Sequence, residues 1–274
     1  KMTIEMLFSL FSEEQLTSPG AMKILDPAVG TGGFLIAGLH EIKNLFLKRN
    51  LRYDQLRNAL RDVANSNFYG IDFNPFLAQV AQMNMVMNGD GSSNIYSANS
   101  LENPSQWDTN TQNDVLLGTF DLVVTNPPFG SKTPIDNPDI LHQYKLSTSD
   151  SLNGRTSLPP EQLFIERCLD FLKPGGYLGI VLPDSILSNP GLVWLREWLF
   201  DKTYIISSID LPTETFEPHT GTQTSILILK KKKDKQVADD KYWVFMAIPE
   251  KVGHDKRGNP VYVMTSDGKI VTDN

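Results

Sequence analysis

The chain has 274 residues, which is enough for one large α/β domain or two small ones, and a net charge of −7 at pH 7. Hydrophobic residues make up 40% and charged residues 21%, as in globular proteins, and no apolar run is long enough to cross a bilayer. The acidic balance argues against unaided binding of nucleic acid, so positive charge would have to be local or come from a partner. The single cysteine, Cys168, excludes an internal disulfide and fits a reducing compartment.

Strand patterns alternate with helical patterns along the chain. The predicted strands are 23–26, 68–72, 94–97, 120–125, 177–182, 204–211 and 224–229, and the predicted helices are 34–48, 75–88, 161–172 and 191–200. This alternation predicts an α/β fold with a mostly parallel, seven-stranded sheet covered by helices on both faces. Because no helix joins the last two strands, we expect the last strand to be antiparallel. We expect one domain over 1–274, with a long loop at 130–160 and an extra hairpin or tail at 241–274.

The first predicted strand leads into a glycine-rich turn, DPAVGTGGF, at residues 26–34. Its three glycines allow a ligand to approach the backbone, and the following helix offers free N–H groups to an anion. The turn lacks the spacing and the lysine of a P-loop, which argues against binding of a nucleoside triphosphate. A tight strand-to-helix connection without a ligand is the alternative interpretation.

Polar residues end the next two predicted strands. Asp72 ends the second strand, where its carboxylate can accept hydrogen bonds from the two hydroxyls of a ribose. Asn99 lies in the loop after the third strand, which is the third loop of the predicted site. The alternative role for Asp72 is to cap the following helix, and the alternative for Asn99 is that of an ordinary turn residue. Ligands of such sheets bind beyond the carboxyl ends of the strands. The three loops together therefore predict a site for a nucleoside with a small anionic tail and no phosphates.

The fourth predicted strand ends in the sequence DLVVTNPPFG, residues 121–130. Its apolar run stops at Pro127 and Pro128, because proline removes a ladder donor and restricts φ. The resulting elbow presents the amide of Asn126, the carbonyl of Pro127 and the ring of Phe129. These three groups suit a flat heterocycle with an exocyclic amine, although a purely structural elbow is the alternative.

Taken together, DPAVGTGGF, GIDFNP, ANSL and NPPF resemble the S-adenosylmethionine-dependent adenine-N(6) DNA methyltransferases, above all the modification subunits of type I restriction–modification systems. The segments EQLFIERCLDFLKPGGYLGIVLP (161–183) and LPTETFEPHTGTQTSILILKK (211–231) are also similar to that family, and the resemblance spans about residues 20 to 264. It implies a Rossmann-like class I methyltransferase fold, S-adenosylmethionine as cofactor and DNA as substrate. It also implies a specificity (S) subunit and a restriction (R) subunit as partners, and a cytoplasmic location in a bacterium or archaeon.

The resemblance also assigns roles to individual residues. The implied cofactor-binding residues are Asp26, Pro27, Ala28, Gly30, Gly32 and Gly33 around the methionine moiety, Asp72 at the ribose, and Asn99, Phe73, Leu101 and Phe164 around the adenine. The implied catalytic residues are Asn126, Pro127, Pro128 and Phe129, with Phe129 and Phe216 stacking on the target base.

The expected chemistry is direct transfer of a methyl group to an amine that is a weak nucleophile. Two acceptors, the Asn126 amide oxygen and the Pro127 carbonyl, would favour a pyramidal nitrogen and stabilise its developing positive charge. Such a transfer needs no catalytic cysteine or metal, and the target base has to flip out of its duplex. Cys168 lies on the apolar stripe of a predicted helix, so we expect it in the core, which argues against a cytosine carbon-5 enzyme.

Three further expectations concern segments outside these motifs. In the loop after NPPF, Lys132, Lys145 and Arg155 are candidate phosphate contacts. The run KKKKDK at 230–235 predicts a solvated hairpin tip, with a phosphate contact as the alternative. Residues 1–22 do not show the aromatic segment that completes the cofactor site in the family, so we expect an excised catalytic domain or a diverged start.

Three other functions remain open on the sequence alone. A protein glutamine methyltransferase uses a similar Asn-Pro-Pro-aromatic elbow, and so does an RNA guanine amino methyltransferase. The third alternative is an inactive cofactor-binding scaffold within a restriction complex.

Overall fold

A single eight-stranded sheet organises the protein, whose computed structural model describes residues 1–89, 94–130, 134–148, 156–218, 221–233, 241–262, 264 and 270. The strands are β1 (Ile24–Asp26), β2 (Phe68–Asp72), β3 (Ile95–Ser97), β4 (Phe120–Thr125), β5 (Leu172–Pro183), β6 (Thr203–Asp210), β7 (Thr224–Lys231) and β8 (Phe245–Ala247). The helices are α1 (Met2–Phe8), α2 (Glu13–Thr17), α3 (Gly33–Leu47), α4 (Tyr53–Asn67), α5 (Pro75–Asn88), α6 (Thr109–Asp114), α7 (Pro138–Leu141), α8 (Lys145–Thr148), α9 (Pro160–Phe171), α10 (Ser185–Ser188) and α11 (Val193–Lys202).

The strand order is β3-β2-β1-β4-β5-β7-β6-β8. The first five strands in this order are parallel, whereas β7 is antiparallel to both β5 and β6. The predicted α/β class, the parallel sheet and the antiparallel ending are thus confirmed, and β8 adds an eighth strand parallel to β6. Chain order reverses between the adjacent strands β1 and β4, which is the position where such sheets bind ligands.

Both faces of the central part of the sheet are buried. Along β4, Leu122 and Val124 belong to a core cluster shared with α1, α3, α4 and α5, whereas Val123 belongs to a second cluster shared with α9 and α11. Burial on both faces explains why the strand is apolar without alternation. Cys168 is fully buried in the second cluster, which confirms its predicted core position, and burial raises the pKa of its thiol.

The main departures from the predicted elements have local causes. Strand β5 begins at Leu172, directly after α9, because the Lys-Pro-Gly-Gly sequence at 173–176 continues the strand. The register against β4 shifts at this point, since Phe120 faces Leu172 while Leu122 faces Tyr177. Helices α1, α2, α4 and α6 and strand β8 lie outside the predicted elements, and β8 has only three residues, two of them exposed apolar ones.

Two segments predicted as a loop and a tail carry structure of their own. The described part of 130–160 contains α7, α8 and an antiparallel bridge between Ile135 and Leu158. Its predicted phosphate contacts Lys132 and Arg155 lie outside the described residues, and Lys145 is the first residue of α8. In the tail, an antiparallel bridge joins His254 and Pro260. Within the described ranges, no helix combines the length and the apolar character that a bilayer crossing requires.

The lysine run at 230–233 lies at the amino-terminal end of the parallel strands, away from the elbow. Lys231 donates to the carbonyls of Leu169 and Leu172 at 2.7 Å each, and Lys232 donates to the carbonyl of Phe200 at 2.6 Å. These lysines therefore satisfy carbonyls at the ends of α9 and α11, as basic residues often do at helix C-termini. The prediction of a solvated tip is wrong for Lys231, which is half-buried in β7, whereas Lys233 is exposed; residues 234–235 lie outside the described residues.

Candidate active site

A cleft of about 370 Å³ opens at the carboxyl ends of β1 and β4. Because these two strands are neighbours at the reversal of strand order, the loops that follow them face each other. The cleft is lined by Lys1, Asp26, Ala28, Val29, Gly30, Thr31, Gly33, Phe34, Ala37 and Asn126. The glycine-rich turn and the first residue of the elbow, separated along the chain, thus share one space.

The glycine-rich turn adopts backbone angles that favour glycine. Gly30 and Gly32 have φ values of 53° and 88°, and Gly32 is the N-cap of α3. A Cβ at Gly30 or Gly33 would meet nothing within 4 Å, so these positions border open space. The N–H of Val29 donates to the carbonyl of Ile71 at 2.9 Å, which ties the turn to β2.

Asp26 is a buried carboxyl group at the edge of this cleft. Its side chain is 2% exposed and accepts a hydrogen bond of 3.1 Å from the N–H of Ala28. Burial raises the pKa of Asp26 to about 7; the hydrogen bond from the N–H of Ala28 opposes the rise, and the charge of Asp72 adds to it. A cationic ligand group in the cleft would stabilise the ionised form.

Asp72 links the turn to the end of β2. Its Oδ2 accepts from the N–H of Gly30 at 2.9 Å, and its Oδ1 accepts from the N–H of Asn74 at 2.8 Å. Asn74 is the N-cap of α5 and accepts from the N–H of Phe76, so the alternative of Asp72 as the helix cap is wrong. Each oxygen of Asp72 retains lone-pair capacity for a ribose hydroxyl.

Asn99 organises the turn after β3. Its Oδ1 accepts from the N–H of Leu101 at 3.0 Å, and its Nδ2 donates to Glu102 at 3.3 Å. The indole N–H of Trp107 donates to the carbonyl of Asn99 at 2.9 Å. Asn99 is therefore a turn residue in this structure, which was the alternative to a role in ligand binding. It is not among the residues that line the cleft.

The other residues expected around a cofactor adenine differ in exposure. Leu101 and Phe164 are 3% and 6% exposed and belong to one core cluster, whereas Phe73 is 74% exposed. The Ser100 hydroxyl donates to the carbonyl of Pro27 at 2.6 Å, which joins this turn to the glycine-rich one. Leu101 and Phe164 are thus core residues, and of the three only Phe73 presents its ring to solvent.

The elbow begins where β4 ends. Asn126 and Pro128 are exposed, Pro127 is buried and Phe129 is half-buried. Asn126 lines the cleft beside Asp26, as the neighbouring positions of β1 and β4 require. The structure thus presents the Asn126 amide to the same space that the glycine-rich turn borders.

The two aromatic residues expected at the target base contact each other. Phe216 lies in a 3₁₀ turn, Thr213–Phe216, after β6. The rings of Phe129 and Phe216 are edge-to-face, with centroids 6.5 Å apart and an interplanar angle of 90°. The ring that follows Asn126 and the prolines in sequence is thus paired with an aromatic ring from the turn after β6.

Glu161, outside the predicted site, supports the elbow. This residue is 6% exposed in the first turn of α9, and its Oε2 accepts from the N–H of Gly130 at 3.0 Å. By sequence it is an ordinary acidic residue near a helix N-terminus, where carboxylates are common. Its contact with the residue after Phe129 is visible only in the tertiary structure.

The chain is similar to methyltransferases in sequence and in structure. It is 27% identical over 211 residues to the methylase subunit of the type I restriction enzyme EcoEI of Escherichia coli, covering 76% of this chain and 38% of that subunit. The EcoKI M protein of Escherichia coli superimposes with a TM-score of 0.60 and 22% identity, over 90% of this chain and 48% of that one. A Listeria monocytogenes protein described as a class I S-adenosylmethionine-dependent methyltransferase gives a TM-score of 0.62 and 20% identity, over 91% and 64% of the two chains.

These similarities differ in what they show. The structural likenesses establish the S-adenosylmethionine-dependent methyltransferase fold. The chain spans only 38% of the length of the EcoEI subunit. The profile of the family described as N-6 DNA Methylase matches residues 4–264, which is nearly the whole chain. The chain therefore belongs to the N-6 DNA Methylase family.

Proposed function

We propose that this chain transfers the methyl group of S-adenosylmethionine to the exocyclic amino nitrogen of adenine in DNA, as the catalytic part of a type I modification subunit. The observation that carries the proposal is the shared cleft, in which the Asn126 amide lies beside Asp26 and the glycine-rich turn. Membership of the N-6 DNA Methylase family favours adenine in DNA over glutamine in protein or guanine in RNA as the acceptor.

The residues of the cleft fit the cofactor. Asp26 is a buried carboxyl group whose raised pKa a cation would lower, and the methionine end of the cofactor carries an ammonium group. Gly30 and Gly33 leave open space beside the backbone, and Asp72 has lone pairs for ribose hydroxyls. When bound, S-adenosylmethionine supplies an electrophilic methyl group on a sulfonium. In this proposal the Asn99 turn and the exposed ring of Phe73 surround the adenine.

The elbow prepares the target amine for attack. The Asn126 amide oxygen and the Pro127 carbonyl accept hydrogen bonds from the amine, so its nitrogen becomes pyramidal and its developing positive charge is stabilised. The aromatic pair of Phe129 and Phe216 stacks against the flipped base, which compensates part of the lost stacking in the duplex. Glu161 holds the backbone after Phe129 in place.

We propose that DNA recognition depends on other subunits. The net charge of −7 makes the chain a weak nucleic-acid binder by itself, so a specificity subunit would supply the sequence-reading surface. A structure that describes assembly of a type I restriction–modification system contains a chain with the same fold, at a TM-score of 0.63 and 22% identity. A restriction subunit would complete the assembly. We propose that the assembly is cytoplasmic, because its DNA substrate is there.

The test measures the methylated base directly. The purified chain, alone and with its cognate specificity subunit, is incubated with S-adenosylmethionine and unmethylated genomic DNA, and nucleosides from the digested DNA are quantified. We expect N(6)-methyladenine, reduced at least about 100-fold in Asn126→Ala, in line with the loss of one preorganised hydrogen-bonding group. Asn110→Ala, on the exposed surface of α6, is the matched control and should retain full activity.

Three results would contradict this function. They are methylation of cytosine in place of adenine, methyl transfer to RNA or protein with none to DNA, and undiminished product from Asn126→Ala. Binding of S-adenosylhomocysteine by both variants shows that the cleft is intact, so a loss of product can be assigned to the transfer step.

A further inference from the structure

Helix α9 buries three charged side chains. Glu161, Glu166 and Arg167 are 6%, 5% and 3% exposed, respectively. Burying a charge is costly unless hydrogen bonds satisfy it, so these residues need defined partners. Each of them bonds the backbone of a loop that borders the proposed active site.

Arg167 joins two of these loops. Its Nη2 donates to the carbonyls of Leu101 and Glu102 at 3.3 and 3.1 Å, and to the Oε1 of Gln143 at 3.2 Å. Its Nε donates to the hydroxyl of Tyr144 at 2.8 Å. The Tyr144 hydroxyl in turn donates to the carbonyl of Leu101 at 2.8 Å, so this carbonyl accepts two hydrogen bonds. One guanidinium therefore connects the turn after β3 with the loop after the elbow.

The two glutamates hold the loop after the elbow on either side of this junction. Glu166 accepts from the N–H groups of Lys145 and Leu146 at 2.9 Å each. Glu161 accepts from the N–H of Gly130, directly after the NPPF sequence. Helix α9 therefore holds three stretches of backbone in place. They are the start of the loop, its 143–146 part and the turn at 99–102.

We propose that Arg167, acting with Tyr144, is a positioning residue that sets the cofactor-adenine turn (residues 99–102) and couples it to the 138–148 segment after the elbow. The inference rests on the proposed function, since that function places the cofactor adenine at this turn. The planar fork of arginine serves several acceptors in fixed directions, which a lysine cannot do. Ordering of the turn by the cofactor is therefore transmitted to the segment beside the target base.

The first test removes one hydroxyl group. Tyr144→Phe keeps the buried ring but leaves the Nε of Arg167 without this acceptor and removes one donor from the Leu101 carbonyl. We expect S-adenosylhomocysteine to bind between about threefold and thirtyfold more weakly in titration calorimetry, as for residues that couple sites without touching the ligand. Tyr96→Phe is the matched control, because it removes a buried phenol bonded to Asp114 at 2.6 Å in the same core cluster. It should lower Tm and leave the affinity unchanged.

The second test reads the coupling by hydrogen exchange. In the wild type, S-adenosylhomocysteine should slow exchange in 99–102 and also in 138–148. In Arg167→Lys, which keeps the charge but loses the fork, we expect protection of 99–102 alone. Circular dichroism checks that this variant is folded, and Tyr144→Phe should show the same separation.

The outcomes distinguish this inference from the proposed function. Tyr144→Phe with a lower Tm but unchanged affinity would make the network purely structural. Wild-type protection confined to 99–102 would likewise overturn the coupling, while leaving the proposed function standing. Failure of the wild type to bind S-adenosylhomocysteine at all would overturn the proposed function, and the inference with it.

Discussion

The buried carboxyl group of Asp26 makes cofactor affinity dependent on pH. Burial raises its pKa to about 7 in the folded protein without ligand. In the proposed complex, ionised Asp26 faces the ammonium group of the cofactor, so the protonated fraction does not bind productively. Affinity should therefore fall as the pH falls below about 7 and reach a plateau above it.

The magnitude follows from the fraction of ionised Asp26. With a pKa of about 7, roughly ten molecules in eleven carry the carboxylate at pH 8 and roughly one in eleven at pH 6. The apparent Kd should thus rise about tenfold between pH 8 and pH 6, and about ninefold more down to pH 5. Binding at pH 6 should release close to one proton, about 0.9 on the same arithmetic.

Titration calorimetry with S-adenosylhomocysteine between pH 5 and pH 8 measures both quantities. Repeating each titration in two buffers of different ionisation enthalpy gives the number of released protons. Asp26→Asn is the control, because the amide keeps the shape and cannot ionise; its affinity should be low and independent of pH. A constant wild-type Kd over this range, or a slope retained in Asp26→Asn, would refute the role assigned to Asp26.

Four further predictions concern stability and the elbow. Because the folded pKa of Asp26 lies above its unfolded value, the free energy of unfolding should fall by about 4 kcal/mol as the pH rises from about 4 to about 8; urea denaturation should show a flatter profile for Asp26→Asn. Glu161→Ala leaves the Gly130 N–H without its acceptor, so single-turnover methylation should slow while S-adenosylhomocysteine affinity is retained, and Glu161→Gln should recover most of the rate. Phe216→Ala should raise KM for DNA, whereas Phe216→Tyr should not; equal values in a steady-state assay would remove Phe216 from the base site. A Cβ at Gly179 would lie 2.6 Å from a leucine of α1, so Gly179→Ala should lower the unfolding free energy by about 1–3 kcal/mol in urea denaturation.

The fold class and the loops that form the cleft could be predicted from the sequence. The uninterrupted apolar run of β4 predicted a strand buried on both faces, and its abrupt end at Pro127 located the elbow. Asp26 and the glycine-rich turn were equally readable, because a strand followed by glycines and a helix is a local pattern. The carboxyl ends of parallel strands share one edge, which is why the turn and Asn126 line the same cleft.

Which distant side chains support this cleft is visible only in three dimensions. Phe129 meets Phe216, and Arg167 reaches Leu101 and Tyr144, only because α9 and the loops after β3, β4 and β6 converge at one end of the sheet. The raised pKa of Asp26 has the same origin, since desolvation depends on every element that excludes water from the carboxyl group. Local periodicity records what a residue's own helix or strand buries. This periodicity does not show which backbone N–H and C=O groups of a distant element require a hydrogen-bond partner.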